Sequence, residues 1–276
     1  MIRKFKLNNK EILFKIYNPG GNKTALVYKS DYTKSEISQI NNYILYNYPQ
    51  IEQVGFISKK DNNLMMAGGE FCVNATRCTI YEFLNGNNGK ISISVSGANN
   101  IIEGGIKDNK VFVKMDFKNV IQLISIKLQN NILNGYIVKL EGIEHIVIDY
   151  STSKSYIALE EDELKEVCKQ IITNYNSNEK AIGVIFLEKQ NNVTKIYPIV
   201  WVREIDTLYY ETACGSGTIA AFTYLYNKEN IVLLGRRRWK IENKGFKEQK
   251  SDILNITHKT PVQCLFIFRK LHGKRA

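Results

Sequence analysis

Cys72 and Cys214 are the residues of this chain best placed to do chemistry. Each stands where a strand pattern gives way to a helix pattern, Cys72 in Gly68-Gly69-Glu70-Phe71-Cys72-Val73-Asn74-Ala75-Thr76-Arg77 and Cys214 in Glu211-Thr212-Ala213-Cys214-Gly215-Ser216-Gly217-Thr218. A thiol at a helix N-terminus lies beside the unpaired N–H groups of the first turn, which stabilise its thiolate and can also hold a carboxylate. One such thiol reads as a nucleophile or a redox centre. Two, in corresponding places in two halves, read as an acid/base pair facing one substrate. Gly215 and Gly217 let backbone N–H groups approach a ligand closely, and Ser216 and Thr218 add hydroxyl donors.

The other three thiols have ordinary packing explanations. Cys168 lies on the apolar face of a helix pattern, Cys264 inside an apolar strand, and Cys78 within the first turns of its helix. Five cysteines without a C-x-x-C pair, and only three histidines, do not spell a zinc or iron site, so no metal is expected. A dithiol–disulfide cycle between Cys72 and Cys214 is the less favoured reading, because redox pairs are commonly local and these are separated by almost half the chain.

The elements that must position the two thiols follow the same order twice. In the first half, strands are expected over 11–17, 24–28, 54–58 and 63–67, with a helix carrying Ile37, Ile40, Ile44 and Leu45 and an N-cap at Ser30-Asp31. The Cys72 helix comes next, stopped by Asn85-Gly86, then strands over 91–95 and 111–117. In the second half, strands over 136–139 and 146–149 precede a helix with Leu164, Val167, Cys168, Ile171 and Ile172 on its apolar face and an acidic start at 160–163. Strands over 182–187 and 195–202, the Cys214 helix and strands over 252–257 and 262–268 complete it. The order implies two similar α+β lobes, 1–118 (completed by the C-terminal strand 262–276) and 119–261. Packed about a pseudo-two-fold axis, the two cysteine-headed helices would point into one cleft.

Composition narrows the partners. With 276 residues, 44% hydrophobic and 24% charged, the chain has the make-up of a globular protein, and no apolar run reaches the length of a membrane span. The basic N-terminus lacks the apolar stretch of a signal peptide, so the expected location is the cytoplasm. A net charge of +11 and the cluster Arg236-Arg237-Arg238-Trp239-Lys240 raise nucleic acid as a partner, but the remaining lysines are scattered. A solvated basic face that draws a small anionic substrate is preferred over nucleic-acid binding.

The motifs Asn18-Pro19-Gly20-Gly21-Asn22, Cys72-Val73-Asn74-Ala75-Thr76-Arg77-Cys78 and Ala213-Cys214-Gly215-Ser216-Gly217-Thr218 resemble those of the diaminopimelate epimerase superfamily of cofactor-independent amino-acid racemases. The resemblance runs from near Tyr17 to Leu225. It implies two pseudo-symmetric lobes, each a curved mixed or antiparallel sheet wrapped around a central helix, and a site in the cleft between them. It also implies an isomerase without pyridoxal phosphate, a free amino acid as substrate and a homodimer. One thiolate would take the α-proton from one face while the opposite thiol protonates the other, so the pair would titrate as a coupled unit. Backbone donors at Val73, Asn74, Gly215 and Ser216 would hold the α-carboxylate, and Asn22 matches the family's early substrate-binding asparagine.

Departures from the diaminopimelate pattern bear on the substrate. Where that family has Gly-Asn-Pro-His, this chain has Gly142-Ile143-Glu144-His145, and the segment 205–211 lacks the Arg that clamps the distal carboxylate. The context of Tyr17-Asn18-Pro19, Glu52-Gln53-Val54-Gly55-Phe56-Ile57, Glu70-Phe71-Cys72 and Val95-Ser96-Gly97 is similar to the histidine racemase branch, with diaminopimelate, proline or a similar amino acid as the alternative. Glu52 is then a candidate to orient a thiol or meet an imidazole, and Glu211 a candidate to bind an amino or imidazole N–H. Tyr209 and Tyr210 could wall the pocket or pack in the core, and His145 reads as a satisfied strand histidine. Val73 replaces the usual Gly, which would add bulk at the site. The different-class alternative, a non-racemising protein on the scaffold of the phenazine-biosynthesis branch, lacks the two-thiol arrangement.

Overall fold

Two mixed β-sheets, each flanked by helices, account for the residues that the computed structural model describes: 2–28, 31–116, 121–128, 131–190, 193–228, 241–243 and 263–268. By contact the chain divides into Met1–Met115 with Leu265–Ala276, and Asp116–Cys264. The expected boundary at Lys118, the basic cluster 236–240, the expected strand over 252–257 and the side chain of Cys264 lie outside the described residues.

In the first unit the strands are β1 (Ile2–Leu7), β2 (Lys10–Tyr17), β3 (Lys23–Tyr28), β4 (Ile51–Ser58), β5 (Asn63–Met66), β6 (Gly89–Val95), β7 (Ile102–Lys107) and β8 (Lys110–Asp116), with helices α1 (Lys34–Asn47) and α2 (Val73–Phe83) between them. They lie side by side in chain order, and the late strand Gln263–Phe268 adds beyond β8. Two neighbouring pairs run parallel, β3 with β4 and β5 with β6, and each is joined by a helix, as a parallel crossover requires. Ile37, Ile40 and Ile44 of α1 pack on Ala25, Val27, Val54 and Phe56. Alternation along β3 and β4 therefore sends Thr24, Leu26, Gln53 and Gly55 to the other face, where α2 lies.

Helix α1 begins at Thr33, whose hydroxyl accepts from the Glu36 N–H while the Glu36 carboxylate accepts from the Thr33 N–H. This Thr-x-x-Glu box satisfies two otherwise unpaired donors, and so displaces the expected cap at Ser30-Asp31. Helix α2 is buried from Val73 to Ile80 and again at Phe83, with Asn85 (φ 51°) and Gly86 (φ 73°) ending it as expected. Glu82 anchors its last turn, accepting from Lys15 (2.9 Å), Tyr28 (2.7 Å) and Tyr17.

The second unit comprises β9 (Ile121–Leu128), β10 (Asn131–Leu140), β11 (Ile143–Ile148), α3 (Tyr150–Tyr156), α4 (Glu161–Tyr175), β12 (Ala181–Gln190), β13 (Val193–Val202), β14 (Thr207–Tyr210), α5 (Gly215–Lys228) and β15 (Ile241–Asn243). Numbering the strand Gln263–Phe268 as β16, the second sheet has the order β14-β13-β12-β11-β10-β9 with β15 parallel on β13, and β11 and β12 form a parallel crossover through α3 and α4. Leu164, Cys168, Ile171 and Ile172 of α4 pack on Ile146, Ile148, Ile182, Val184 and Phe186. The opposite face carries Ile143, Ala181 and Val200, which pack with Cys214 at the head of α5. Ile219, Ala220, Ala221, Phe222, Tyr224 and Leu225 of α5 are all buried.

Candidate active site

Each of the two cysteines caps a buried helix, and the local geometry is the same at both. Cys72 precedes α2, and its Sγ accepts the N–H of Ala75 at 3.4 Å. Its carbonyl accepts from Thr76 twice, from the backbone N at 2.9 Å and from Oγ1 at 2.7 Å. Cys214 precedes α5, and its Sγ accepts the N–H of Gly217 at 3.2 Å. Its carbonyl accepts from Thr218 N at 3.0 Å and Thr218 Oγ1 at 2.7 Å. A sulfur in the N-cap position satisfies a first-turn donor and sits in the positive end of the helix dipole. Cys-x-x-x-Thr, present at both sites, is the sequence signal for this arrangement; Thr218, expected as a hydroxyl donor, donates to the Cys214 carbonyl, and Thr76, which motif reading passed over, does the same for Cys72.

Around Cys72 the first unit gathers several of the expected residues. The Asn18–Asn22 loop is held by Asn18 Oδ1 accepting from Gly21 N (2.7 Å), and by the Arg77 guanidinium donating to Pro19 O (3.3 Å). Asn74 Oδ1 accepts from the same guanidinium at 3.3 Å, so α2 and the loop are tied by one buried arginine. Asn22 is 1% exposed. Val73 is buried, so its extra bulk is housed in the core. The chain enters α2 through Glu70-Phe71, pinned by Ser96, whose hydroxyl donates to Glu70 O (2.9 Å) and accepts from Met66 N (2.8 Å).

Glu52 is half-buried at a register shift in the β3–β4 pairing, where Lys23 faces Ile51 and Thr24 faces Gln53. Its neighbour Gln53, absent from the expected site, also meets the thiol. Cys72 Sγ donates to Gln53 Oε1 at 3.0 Å, and Gln53 Nε2 donates to Thr24 Oγ1 at 2.7 Å.

Around Cys214 the second unit brings Glu211, Gly215, Ser216 and Gly217 together. Burial pushes the Cys214 thiol well above its usual range, and the adjacent Glu211 carboxylate, which accepts its hydrogen bond, pushes the same way. Ser216, 3.5 Å from the sulfur through Oγ, and the Gly217 N–H act in the opposite sense. A Cβ on Gly217 would stand 3.0 Å from Cys214 Sγ and 2.8 Å from Ile185 Cδ1, so a side chain there would press on the sulfur. Of the two tyrosines, Tyr210 packs in the core under α4 and Tyr209 is half-buried in β14.

His145 departs from expectation. It is fully buried in β11, but neither ring nitrogen has a hydrogen-bond partner among the described residues. The ring fills the space left by Gly183 on β12, where a Cβ would fall 2.1 Å from Nδ1. Glu144 beside it is an anchor, accepting from Lys139 (2.7 Å), Ser177 (2.7 Å) and Tyr175 (3.0 Å). Burial drives the His145 pKa down to about 3, so the folded protein holds it neutral. The unfolded chain takes up that proton first as pH falls. The stability contributed by the neutral ring is present above the unfolded pKa of about 6.5 and is lost as pH falls from there toward 3. Urea unfolding should show the parent losing about 2 kcal/mol more than His145→Leu between pH 7 and pH 5. Equal slopes would remove His145 from the acid sensitivity.

Among the described residues no three His, Cys, Asp or Glu side chains converge as a metal site, and no helix is long and apolar enough to cross a membrane. The family model described as the histidine racemase CntK N-terminal domain matches residues 11–234, a span that holds both cysteine caps. The chain belongs to the histidine racemase CntK family. It is 30% identical over 226 residues to a histidine racemase of Fusobacterium nucleatum subsp. nucleatum, covering 78% of this chain and 81% of the relative. To a histidine racemase of Staphylococcus aureus it is 28% identical over 225 residues, with 77% and 79% covered. Membership makes this protein an amino-acid racemase, an isomerase.

The fold reaches further than the sequence. A phenazine biosynthesis protein PhzF family member of Enterococcus faecalis superposes with a TM-score of 0.55 at 10% identity, over 94% of this chain and 95% of that one. A protein of Pseudomonas aeruginosa described as a predicted epimerase gives 0.55 at 10%, with 92% of each chain covered. These structures support the expected fold in its coarser form, two mixed sheets with few helices, an architecture shared with PhzF-family proteins and a predicted epimerase.

Proposed function

We propose that this histidine racemase family member interconverts L- and D-histidine with Cys72 and Cys214 as its two acid/base groups, without pyridoxal phosphate. The observation that carries the reading is the matched pair of caps, each placing a sulfur against a first-turn N–H and a threonine on its own carbonyl. Such a sulfur can hold either protonation state, because the helix end favours thiolate while burial and Glu211 favour thiol at Cys214. One thiolate takes the α-proton of histidine and the other thiol returns a proton to the opposite face. Glu211 receives the Cys214 proton when Cys214 acts as the base. The backbone N–H groups at Val73, Asn74, Gly215 and Ser216 bind the α-carboxylate and stabilise charge as the carbanion forms. Asn22 and Glu52 complete the substrate contacts from the first unit. The lobes would each wrap a sheet about a cysteine-headed helix, and a homodimer in the cytoplasm is the proposed setting.

Histidine is preferred over diaminopimelate because the sequence relatives carry that activity in their names and the segment before Cys214 lacks an arginine. The test is chiral chromatography of L-histidine, diaminopimelate, L-proline and other amino acids after incubation with the full chain and no added cofactor. D-Histidine as the dominant product is expected. Turnover of diaminopimelate or proline with histidine untouched would overturn the substrate assignment.

A further inference from the structure

Cys72, Gln53, Thr24 and Asn22 form a chain of hydrogen bonds inside the first unit whose direction is set at its far end. The Asn22 carbonyl can only accept, so the Thr24 hydroxyl donates to it, at 3.4 Å. With its proton committed, the Thr24 oxygen accepts the Gln53 Nε2 N–H at 2.7 Å. The amide carbonyl is thereby turned toward Cys72, 3.0 Å from Sγ. Flipping the amide would bring two oxygens lone pair to lone pair across the 2.7 Å contact. The Cys78 sulfur is a second acceptor for the Thr24 proton; with that proton directed to either acceptor, the Thr24 oxygen is still left to accept from Gln53 Nε2.

An amide carbonyl is an acceptor only. A thiol can donate to it, whereas a thiolate would face its lone pairs. We propose that Gln53 is a positioning residue that holds Cys72 as a protonated thiol along one fixed line, through the relay Cys72–Gln53–Thr24–Asn22. At rest Cys72 is then the proton donor, and the first proton abstraction falls to the other sulfur. Only this last assignment rests on the two-cysteine reading; the state of the Cys72 thiol does not.

Strand periodicity supports the placement. Gln53 shares the α2 side of β4 with Gly55, where Leu26 and Met66 pack, while Val54 and Phe56 face α1. The charged residues on the segments around the thiol are Lys23 on β3, Glu52 on β4, Glu70 on the approach to α2, and Arg77 and Glu82 on α2 itself. Substitution of Gln53 or Thr24 leaves all of them in place, so their field on the sulfur is common to parent and variants.

The experiment uses the full chain as Gln53→Met, which keeps the side-chain length and loses the acceptor, and as Thr24→Val, which frees the amide to turn. Each is alkylated with iodoacetamide across a pH series, and modification at Cys72 is read by peptide mass spectrometry. Losing a bond made only to the protonated form should move the Cys72 inflection down by about one pH unit in Gln53→Met, and by less in Thr24→Val. The kcat for racemisation should fall about ten-fold with KM within about two-fold of the parent. Should Gln53→Met not fold, the Thr24→Val inflection decides. An inflection in the folded variant that stays at the parent's pH, or rises, overturns the proposal. Alkylation needs no turnover, so a parent protein that leaves histidine unchanged would sink the substrate reading while this result still stood.

Discussion

Serine in place of Cys72 or of Cys214 lowers kcat/KM for racemisation by about 10²–10⁴-fold and leaves the fold intact. The two halves of that expectation come from the same cap. Serine is among the preferred N-cap residues, so its oxygen can take over the N–H of Ala75 or Gly217 that the sulfur now accepts. Helices α2 and α5 should then keep their starts, and urea midpoints should stay near the parent value. A serine hydroxyl, however, does not ionise near neutral pH as a thiol can, so it cannot remove an α-proton. Loss of turnover together with loss of stability would mean only that the caps matter to the fold. Parent-like turnover in either variant would remove that residue from the acid/base pair.

Gly97→Ala is expected to be the most damaging change away from the two sulfurs. Gly97 has φ +76°, a conformation costly for a residue with a Cβ. A Cβ there would also stand 2.3 Å from the backbone N of Phe71 and 2.6 Å from Glu70 C. Backbone cannot swing away as a side chain can, so the segment leading into α2 has to move and the bond from Ser96 Oγ to Glu70 O is strained with it. Strain and overpacking together should cost about 2–5 kcal/mol in urea unfolding. The displacement bears directly on Cys72, one residue beyond Phe71, so kcat/KM should fall by at least about ten-fold even where the protein is fully folded. A folded Gly97→Ala protein with parent activity would show that the entry to α2 can shift without moving the thiol.

What could be read from the sequence was decided by how local its causes were. Both helix starts were legible, because a glycine-bearing turn after a strand and before a small-residue helix is written within ten residues. The apolar spacing of α4 was equally local, and Leu164, Cys168, Ile171 and Ile172 are buried as their period requires. Strand β7 escaped notice because Gly104 and Gly105 dilute its pattern. Those glycines are demanded by neighbours, since a Cβ on Gly104 would meet Ile80 of α2 at 2.4 Å and one on Gly105 would meet Gly89 O at 2.2 Å. Strand β9 alternates, with Ile126 and Leu128 buried, but lay where a boundary between halves was expected.

At the site, Gln53 could not be found by motif. An amide in a strand has no local signature, and it acquires a role only when the β3–β4 pairing sets it beside Thr24 and the start of α2. Attention fell instead on Glu52, which the resemblance to the histidine racemase branch singled out. His145 shows the reverse failure: burial in β11 could be anticipated, but the empty place opposite, made by Gly183, belongs to the pairing of β11 with β12.

The most direct test of the two-base account is racemisation of L-histidine by the unmodified protein in D₂O, stopped at low conversion. If two different groups serve the two faces, the D-histidine formed carries deuterium at Cα while the recovered L-histidine keeps its proton. D-Histidine retaining the substrate's own α-proton, or L-histidine deuterated without inversion as the main event, would contradict it.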